Sequence, residues 1–240
     1  MLDPAPRTAP VPAEPPSRRR LVVTDVDSTF ITAEVIELLA DHAGTRAQVA
    51  EVTERAMRGE LDFAGSLRER VATLRGVPVE ALTAVREAVV LTPGAADLVS
   101  ETRRRGWEFG LVSGGFAEIL GPIAGALGIG RWRANRLEVA DGVLTGRTVG
   151  PVVDRADKAA TLRRWADECG LQMVDTVAVG DGANDLDMID AAGIGIAFAA
   201  KPVVRAQAPF SVDGPRLDAV LAVIDEVDAA AGRAPGTARP

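Results

Sequence analysis

The sequence predicts an α/β fold: a parallel sheet flanked by helices, with a small helical cap inserted after the first strand and a short β-hairpin insertion further on. Three observations predict it. Apolar, strand-like runs alternate with helical patterns, which is the signature of a parallel sheet covered by helices on both faces. Three of those runs end in polar or acidic clusters. One stretch of nearly 60 residues, from Thr32 to Val90, reads as helical throughout and exceeds a simple strand-to-strand crossover.

The elements follow in order. Residues 1–20 hold six prolines and end in Arg18, Arg19 and Arg20; so many prolines forbid a helix or a central strand, and a disordered leader is expected. The first strand is LVVTD at 21–25. It runs into Asp25 and Asp27, then Ser28 and Thr29. A desolvated carboxylate is unfavourable unless a cation or hydrogen-bond donors compensate it, and residues i and i+2 of an extended segment point the same way. The pair is therefore either a polar turn or two carboxylates facing one site, one as nucleophile and the other as general acid and base. The cap, residues 32–90, begins with a helix bearing Val35, Ile36, Leu38 and Leu39 on its apolar side. His42, the chain's only histidine, sits late in that helix, where a histidine is usually structural.

The core resumes at 91–228. A helix is expected over Thr92 to Arg105, then the strand WEFGLVS at 107–113, which yields to Ser113, Gly114 and Gly115. Glycines there let backbone N–H groups approach an anion, and a following helix N-terminus favours one, although the same triplet also makes an ordinary turn. Asp141-Gly142, between the alternating runs of Asn135 to Gly150, predicts the hairpin. Lys158 opens a helix reaching Cys169. The strand TVAVG at 176–180 ends in GDGANDLDM, which reads as a polar turn or as an acidic site with Asp181, Asn184 and Asp185. GIGIAF at 193–198 and a weaker FSV at 210–212 complete the sheet, and residues 229–240 form a small-residue and proline tail. Ligands of such sheets bind beyond the carboxyl ends of the strands, and all the polar clusters lie there.

At 240 residues, with 47% hydrophobic and 25% charged, the composition is that of an ordinary globular protein with a substantial core in one or two domains. A net charge of -7 argues against general nucleic-acid binding, which needs a basic footprint. Cys169 is the only cysteine, so no intrachain disulfide can form and a thiolate zinc site is not expected. No apolar run reaches the roughly 18 residues of a membrane span. Asp25 and Asp27 interrupt the apolar stretch behind Arg18–Arg20, which excludes an export signal. No membrane partner is expected, and a cytoplasmic location is the default. The 20 residues before Leu21 leave no room for a large regulatory domain, so feedback through one is not expected.

The ordered set LVVTDVDSTF, LVSGGF, Lys158 and TVAVGDGANDLDM resembles the haloacid dehalogenase superfamily of aspartate-nucleophile phosphatases. Within it, the chain is similar to the phosphoserine phosphatase family from about Leu21 to Val227. The resemblance implies a haloacid dehalogenase-like (HAD-like) Rossmannoid core and a magnesium-dependent hydrolase. Asp25 would be the nucleophile that becomes an aspartyl-phosphate. Asp27 would protonate the leaving oxygen and then activate water. Lys158 would bind phosphoryl oxygens and keep Asp25 anionic. Such chemistry brings a carboxylate to an anionic phosphoryl group, a conflict that a divalent cation and a lysine resolve by neutralising charge. Mg2+ would be held by Asp25, Asp181, Asp185 and the backbone carbonyl of Asp27, with Asp185 direct or one step removed. Ser113, Gly114 and Asn184 would contact phosphate.

The small-molecule substrate implied is O-phospho-L-serine, hydrolysed to L-serine and phosphate as the last step of the phosphorylated serine pathway. Its ammonium and carboxylate call for one acid and one base. Glu34, nine residues beyond Asp25, and Arg70, within MRGELDFAGSLRERV, match that family's pattern; an arginine fork suits a carboxylate. Met57 and Phe63 match an apolar wall shielding the site. From the residues alone these four are also ordinary cap positions, two solvated charges and two packing residues. A related phosphatase or phosphotransferase for another small phosphomonoester is the alternative.

Overall fold

The computed structural model describes residues 18–58 and 60–232. Its frame is a seven-stranded sheet in the order β4-β3-β2-β1-β5-β6-β7. The strands are β1 (Leu21–Thr24), β2 (Glu108–Phe116), β3 (Arg131–Ala140), β4 (Val143–Val149), β5 (Thr176–Gly180), β6 (Ile194–Phe198) and β7 (Phe210–Val212). Every neighbouring pair is parallel except β3 with β4. In register, Thr24 at the end of β1 lies opposite Leu111 of β2 and Val179 of β5. The carboxyl ends of the three central strands therefore open onto one place.

The apolar runs of the central strands are continuous because both faces are covered. Val22, Leu111, Val177, Val179 and Ile196 pack on one face with Leu98 of α5 (Ala95–Arg104) and Ile224 of α10 (Val220–Ala230). Leu21, Val23, Val112 and Ala178 face the other way, onto Leu162 and Trp165 of α7 (Arg155–Glu168) and Met188 of α8 (Leu186–Ala191). This alternation along each strand is the two-residue period of extended chain. The layer is completed by α6 (Ala117–Ala126) and the short α9 (Pro202–Arg205).

Between β1 and α5 rise four helices, α1 (Val35–Ala43), α2 (Arg46–Met57), α3 (Phe63–Ala72) and α4 (Ala81–Ala88). Their neck is a pair of antiparallel segments joined by a single bridge: Ile31 pairs with Leu91, with Thr32 N–H donating to the Val90 carbonyl and Thr92 N–H to the Phe30 carbonyl, each at 3.0 Å. Val35, Ile36, Leu39 and Ala40 form the buried side of α1. The Asp62 carboxylate starts α3 by accepting from Gly65 N–H at 2.6 Å, the usual service of an N-cap acid to an otherwise unpaired donor.

The structure departs from the sequence reading in four places. Residues 1–17 of the expected leader, and residues 233–240 of the expected tail, lie outside the described residues. The leader's last residues, however, belong to the folded body: Arg20 is 1% exposed and its guanidinium pairs with Asp228 of α10. The expected tail likewise starts too early, since α10 continues to Ala230. The hairpin is not a separate insertion. Its first strand starts at Arg131 and pairs in parallel with β2, so the sheet itself extends through it. Finally, the stretch from Thr32 to Val90 is not helical throughout, because Pro78 bridges Val143 of β4. No helix among the described residues is long and apolar enough to cross a membrane.

Candidate active site

Asp25 directly follows β1, and its N–H continues the sheet by donating to the Val179 carbonyl at 2.8 Å. The residue is 4% exposed. Lys158, 0% exposed on the first turn of α7, places its ammonium between two carboxylates: it donates to Asp25 Oδ1 and, at 2.7 Å, to Asp185 Oδ1. Asp154 holds the start of that helix by accepting from Asp157 N–H at 2.9 Å. The opening of α7 is thus fixed where the lysine must point inward.

Asp181 follows the tip of β5, and Asp185 closes the single 3-10 turn Ala183–Asp185 behind it. Carboxylate oxygens of Asp25, Asp181 and Asp185 lie within 4.8 Å of one another. One lysine does not balance three acids. Burial first, then the Asp185 charge, pushes Asp25 well above the usual carboxylate range, against the pull of Lys158. The same two causes push Asp181 up to about 6. Burial alone would lower the Lys158 ammonium, but Asp185 and Asp25 outweigh it and hold it charged. An all-oxygen donor set with surplus negative charge is what a hard divalent cation needs, so these residues fit a metal.

Asp27 stands between the core and the cap. Its Oδ1 accepts from Val35 N–H at 2.7 Å, at the start of α1, and its Oδ2 from the Ser113 hydroxyl at 3.0 Å. Burial, and secondarily the Glu34 charge, pushes its carboxyl up to about 6. A carboxyl group near 6 can both give and take a proton close to neutrality. Gly115 lets it come close: a Cβ there would stand 2.5 Å from Asp27 Oδ2. At Gly114 a Cβ would stand 2.9 Å from the ring of Phe63, so Phe63 lies directly over the serine-glycine loop.

The cap residues meet the same place. Glu34 precedes α1 and accepts from the Ser28 hydroxyl at 2.8 Å. Ser28 itself has φ 57°, a left-handed conformation that a serine rarely adopts and that clusters at functional sites. Arg70, half-buried on α3, bonds only loosely to the Ser66 carbonyl at 3.3 Å. Burial pushes its guanidinium down, while Glu34, Asp27 and Glu37 pull it back up, so the arginine shares a field with the acids it was expected to join. Asn184 is half-buried in the 3-10 turn, its Oδ1 folded toward Gly182. Met57 closes α2, and its side chain lies outside the described residues. His42 is exposed in the last turn of α1.

Two groups at the site had no assigned part in the sequence reading. Thr29, fully buried, donates to Asp181 Oδ1 at 3.0 Å and so links the β1 and β5 tips. Its place two residues beyond Asp27 was the available signal. Asn135 is buried on β3 and reaches the Gly114 carbonyl; nothing near it in sequence announced this.

Residues 22–190 match the family model of haloacid dehalogenase-like hydrolases, and the chain belongs to that family. Relatives within it include phosphoserine phosphatases. One from Streptococcus thermophilus is 52% identical over 207 residues, covering 86% of this chain and 96% of that protein. One from Mycobacterium tuberculosis is 54% identical over 203 residues, covering 85% of this chain. The chain spans 50% of that longer relative's length. Among solved structures, a phospho-aspartyl intermediate analogue of phosphoserine phosphatase superposes with a TM-score of 0.81 at 38% identity, covering 86% of this chain and 99% of that one.

Proposed function

We infer that the chain is a phosphatase that hydrolyses O-phospho-L-serine to L-serine and phosphate through a phosphorylated Asp25. The observation that carries this reading is the pairing of a lysine-held carboxylate, Asp25, with a proton-handling one, Asp27, two residues on and bonded directly to the cap. Close kinship with phosphoserine phosphatases supports the substrate.

The geometry suits two displacements in series. Asp25 attacks phosphorus, and an acyl phosphate forms as the serine oxygen leaves. Asp27, from the protonated fraction that a carboxyl near 6 keeps close to neutrality, gives that oxygen its proton. Now a carboxylate, Asp27 takes a proton from water, which attacks phosphorus, releases phosphate and regenerates Asp25. Splitting one hard displacement into two is the advantage of covalent catalysis. Lys158 counters negative charge on Asp25 and the phosphoryl oxygens. Ser113 and the Gly114 and Gly115 backbone receive the phosphoryl group, and Asn184 flanks it. Glu34 takes the substrate ammonium, Arg70 its carboxylate, and Phe63 and Met57 wall the site from water. Mg2+ is the cation we propose, held by Asp25, Asp181, Asp185 and the Asp27 carbonyl. When bound it supplies the positive charge that lets two anions meet.

The cap would open to admit substrate and close to exclude bulk water, and we place the reaction in the cytoplasm, closing a route to L-serine. The test is phosphate release across phosphorylated amino acids and sugars, with and without EDTA. O-phospho-L-serine is expected to be preferred and EDTA to stop turnover. Asp25→Asn is expected to abolish turnover while the circular dichroism spectrum is kept. Activity persisting in that variant would remove Asp25 as nucleophile, and preference for a sugar phosphate would replace the substrate.

A further inference from the structure

We propose that Asn135 is a positioning residue for the proton-transfer step, acting through the Gly114–Gly115 peptide to aim the Ser113 hydroxyl at Asp27. The role rests on the phosphatase reading above. Asn135 is 2% exposed on β3, opposite Phe116 of β2. Both ends of its amide are used: Nδ2 donates to the Gly114 carbonyl and Oδ1 accepts from Val153 N–H, each at 2.8 Å. Only this orientation satisfies both partners, since a carbonyl accepts and a backbone N–H donates.

The C=O and N–H of a trans peptide point in opposite directions. Holding the Gly114 carbonyl toward β3 therefore turns Gly115 N–H inward, where it donates to Ser113 Oγ at 2.7 Å. An oxygen that accepts there has its own proton to give, and Asp27 Oδ2 receives it at 3.0 Å. The result is one directed chain from amide to peptide to hydroxyl to carboxylate, in which each link polarises the next. Nothing intervenes, since a Cβ on Gly115 would meet both Asp27 Oδ2 and Ser113 Oγ, at 2.5 and 3.0 Å.

The other end of the amide reaches the opposite half of the site. Val153 immediately precedes Asp154, the cap of the helix that carries Lys158. One side chain thus ties the loop facing Asp27 to the segment that delivers the lysine. An asparagine is a poor strand residue and unfavourable to bury, yet this one has every described hydrogen bond directed at the site's supports.

Asn135→Asp tests the role. It is nearly isosteric, keeps an acceptor for Val153 N–H, and puts an oxygen where Gly114 needs a donor. Phosphate release from O-phospho-L-serine is measured at saturating Mg2+ for this variant, for Ser113→Ala and for the double variant. Asn135→Asp alone is expected to lower kcat about tenfold, the size of one hydrogen bond, with KM within about twofold. In the Ser113→Ala background the same change is expected to lower kcat by less than about twofold, because the route is already cut. Equal losses in both backgrounds would overturn the proposal, as would a raised KM with kcat intact. If Asn135→Asp does not fold, Asn135→Ala takes its place in the cycle under the same expectations. An inactive wild-type chain would overturn the phosphatase reading and the role with it; an active wild type with additive losses overturns the role of Asn135 alone.

Discussion

Arg70 and Glu34 show how much one side chain carries. In the proposed reading the substrate offers them a carboxylate and an ammonium, and each would form a charge-assisted hydrogen bond. Arg70→Ala is expected to lower kcat/KM for O-phospho-L-serine by roughly 10- to 100-fold, mostly through KM, in line with the loss of one such bond. Unchanged kinetics would remove Arg70 from the substrate site. Asp27 and Asp181 permit a second prediction, with its sign fixed by their surroundings. Both stand at about 6 in the folded chain, against an ordinary 3.8. The folded state therefore holds protons that the unfolded chain has released, so this contribution is fully present below about pH 4 and is lost as pH rises through 6. The EDTA-treated protein should melt at a lower temperature near pH 7.5 than near pH 5. Added Mg2+ should restore more at the higher pH, since it binds the ionised acids. A melting temperature that is flat across this window, with and without Mg2+, would contradict a shared acidic cation site. Asp25, Asp27, Asp181 and Asp185 stood out in the sequence because acids at the ends of buried strands break the local pattern, and the ordered set of motifs with its family resemblance, not the pattern alone, separated a site from a polar turn. The parts of Thr29 and Asn135 were not legible, because Thr29's place near Asp27 and a lone asparagine in a strand do not name their partners.

The hairpin and the cap are joined as elements, by backbone rather than side chains. Gly76 N–H donates to the Leu144 carbonyl and Leu144 N–H to the Val77 carbonyl, both at 2.8 Å, and Val79 N–H donates to the Gly142 carbonyl at 2.9 Å. The free edge of β4 is thereby covered, which removes an exposed template for pairing. It also anchors the chain that follows α3, the helix carrying Arg70. Gly146 makes the contact close: its φ is 80°, and a Cβ there would stand 3.1 Å from the Ala72 carbonyl and from Arg75 Cβ. Gly146→Ala is expected to destabilise the protein by about 1–3 kcal/mol, from the strained φ and the crowded approach. A thermal melt checks this, and an unchanged melting temperature would show that the hairpin yields freely. Strand and hairpin positions were legible from period and from Asp141-Gly142. The latch was not, since backbone hydrogen bonds between segments more than 60 residues apart leave no mark in either one.

The molecule as a whole is closed by Arg20 and Asp228, which join the start of β1 to the last helix. The guanidinium donates to both carboxylate oxygens, at 3.2 and 2.5 Å, and lies 6.0 Å over the Trp107 ring. Its Nη1 has no hydrogen-bond partner among the described residues, so the carboxylate is its main compensation. Asp228→Ala leaves a buried charge unpaired and is expected to cost about 3–5 kcal/mol. The melting temperature should fall, while kcat at temperatures where the variant stays folded should not. A loss of kcat in the folded variant would mean that the latch reaches the active site.

The order of residues alone was enough for the parallel sheet, the cap, the hairpin turn and the chemical types at the strand tips. Each follows from local rules: periodicity marks the buried faces, and a carboxylate at a buried end demands compensation. Only the folded chain decided that Lys158 spans Asp25 and Asp185, that Asn135 supports the serine loop, and that Arg20 belongs to the core. Those pairings depend on strand order and register, which bring together residues more than a hundred positions apart in the case of Lys158 with Asp25 and Arg20 with Asp228. A hydrogen bond is specified by where two ends meet, and local pattern carries no record of that meeting.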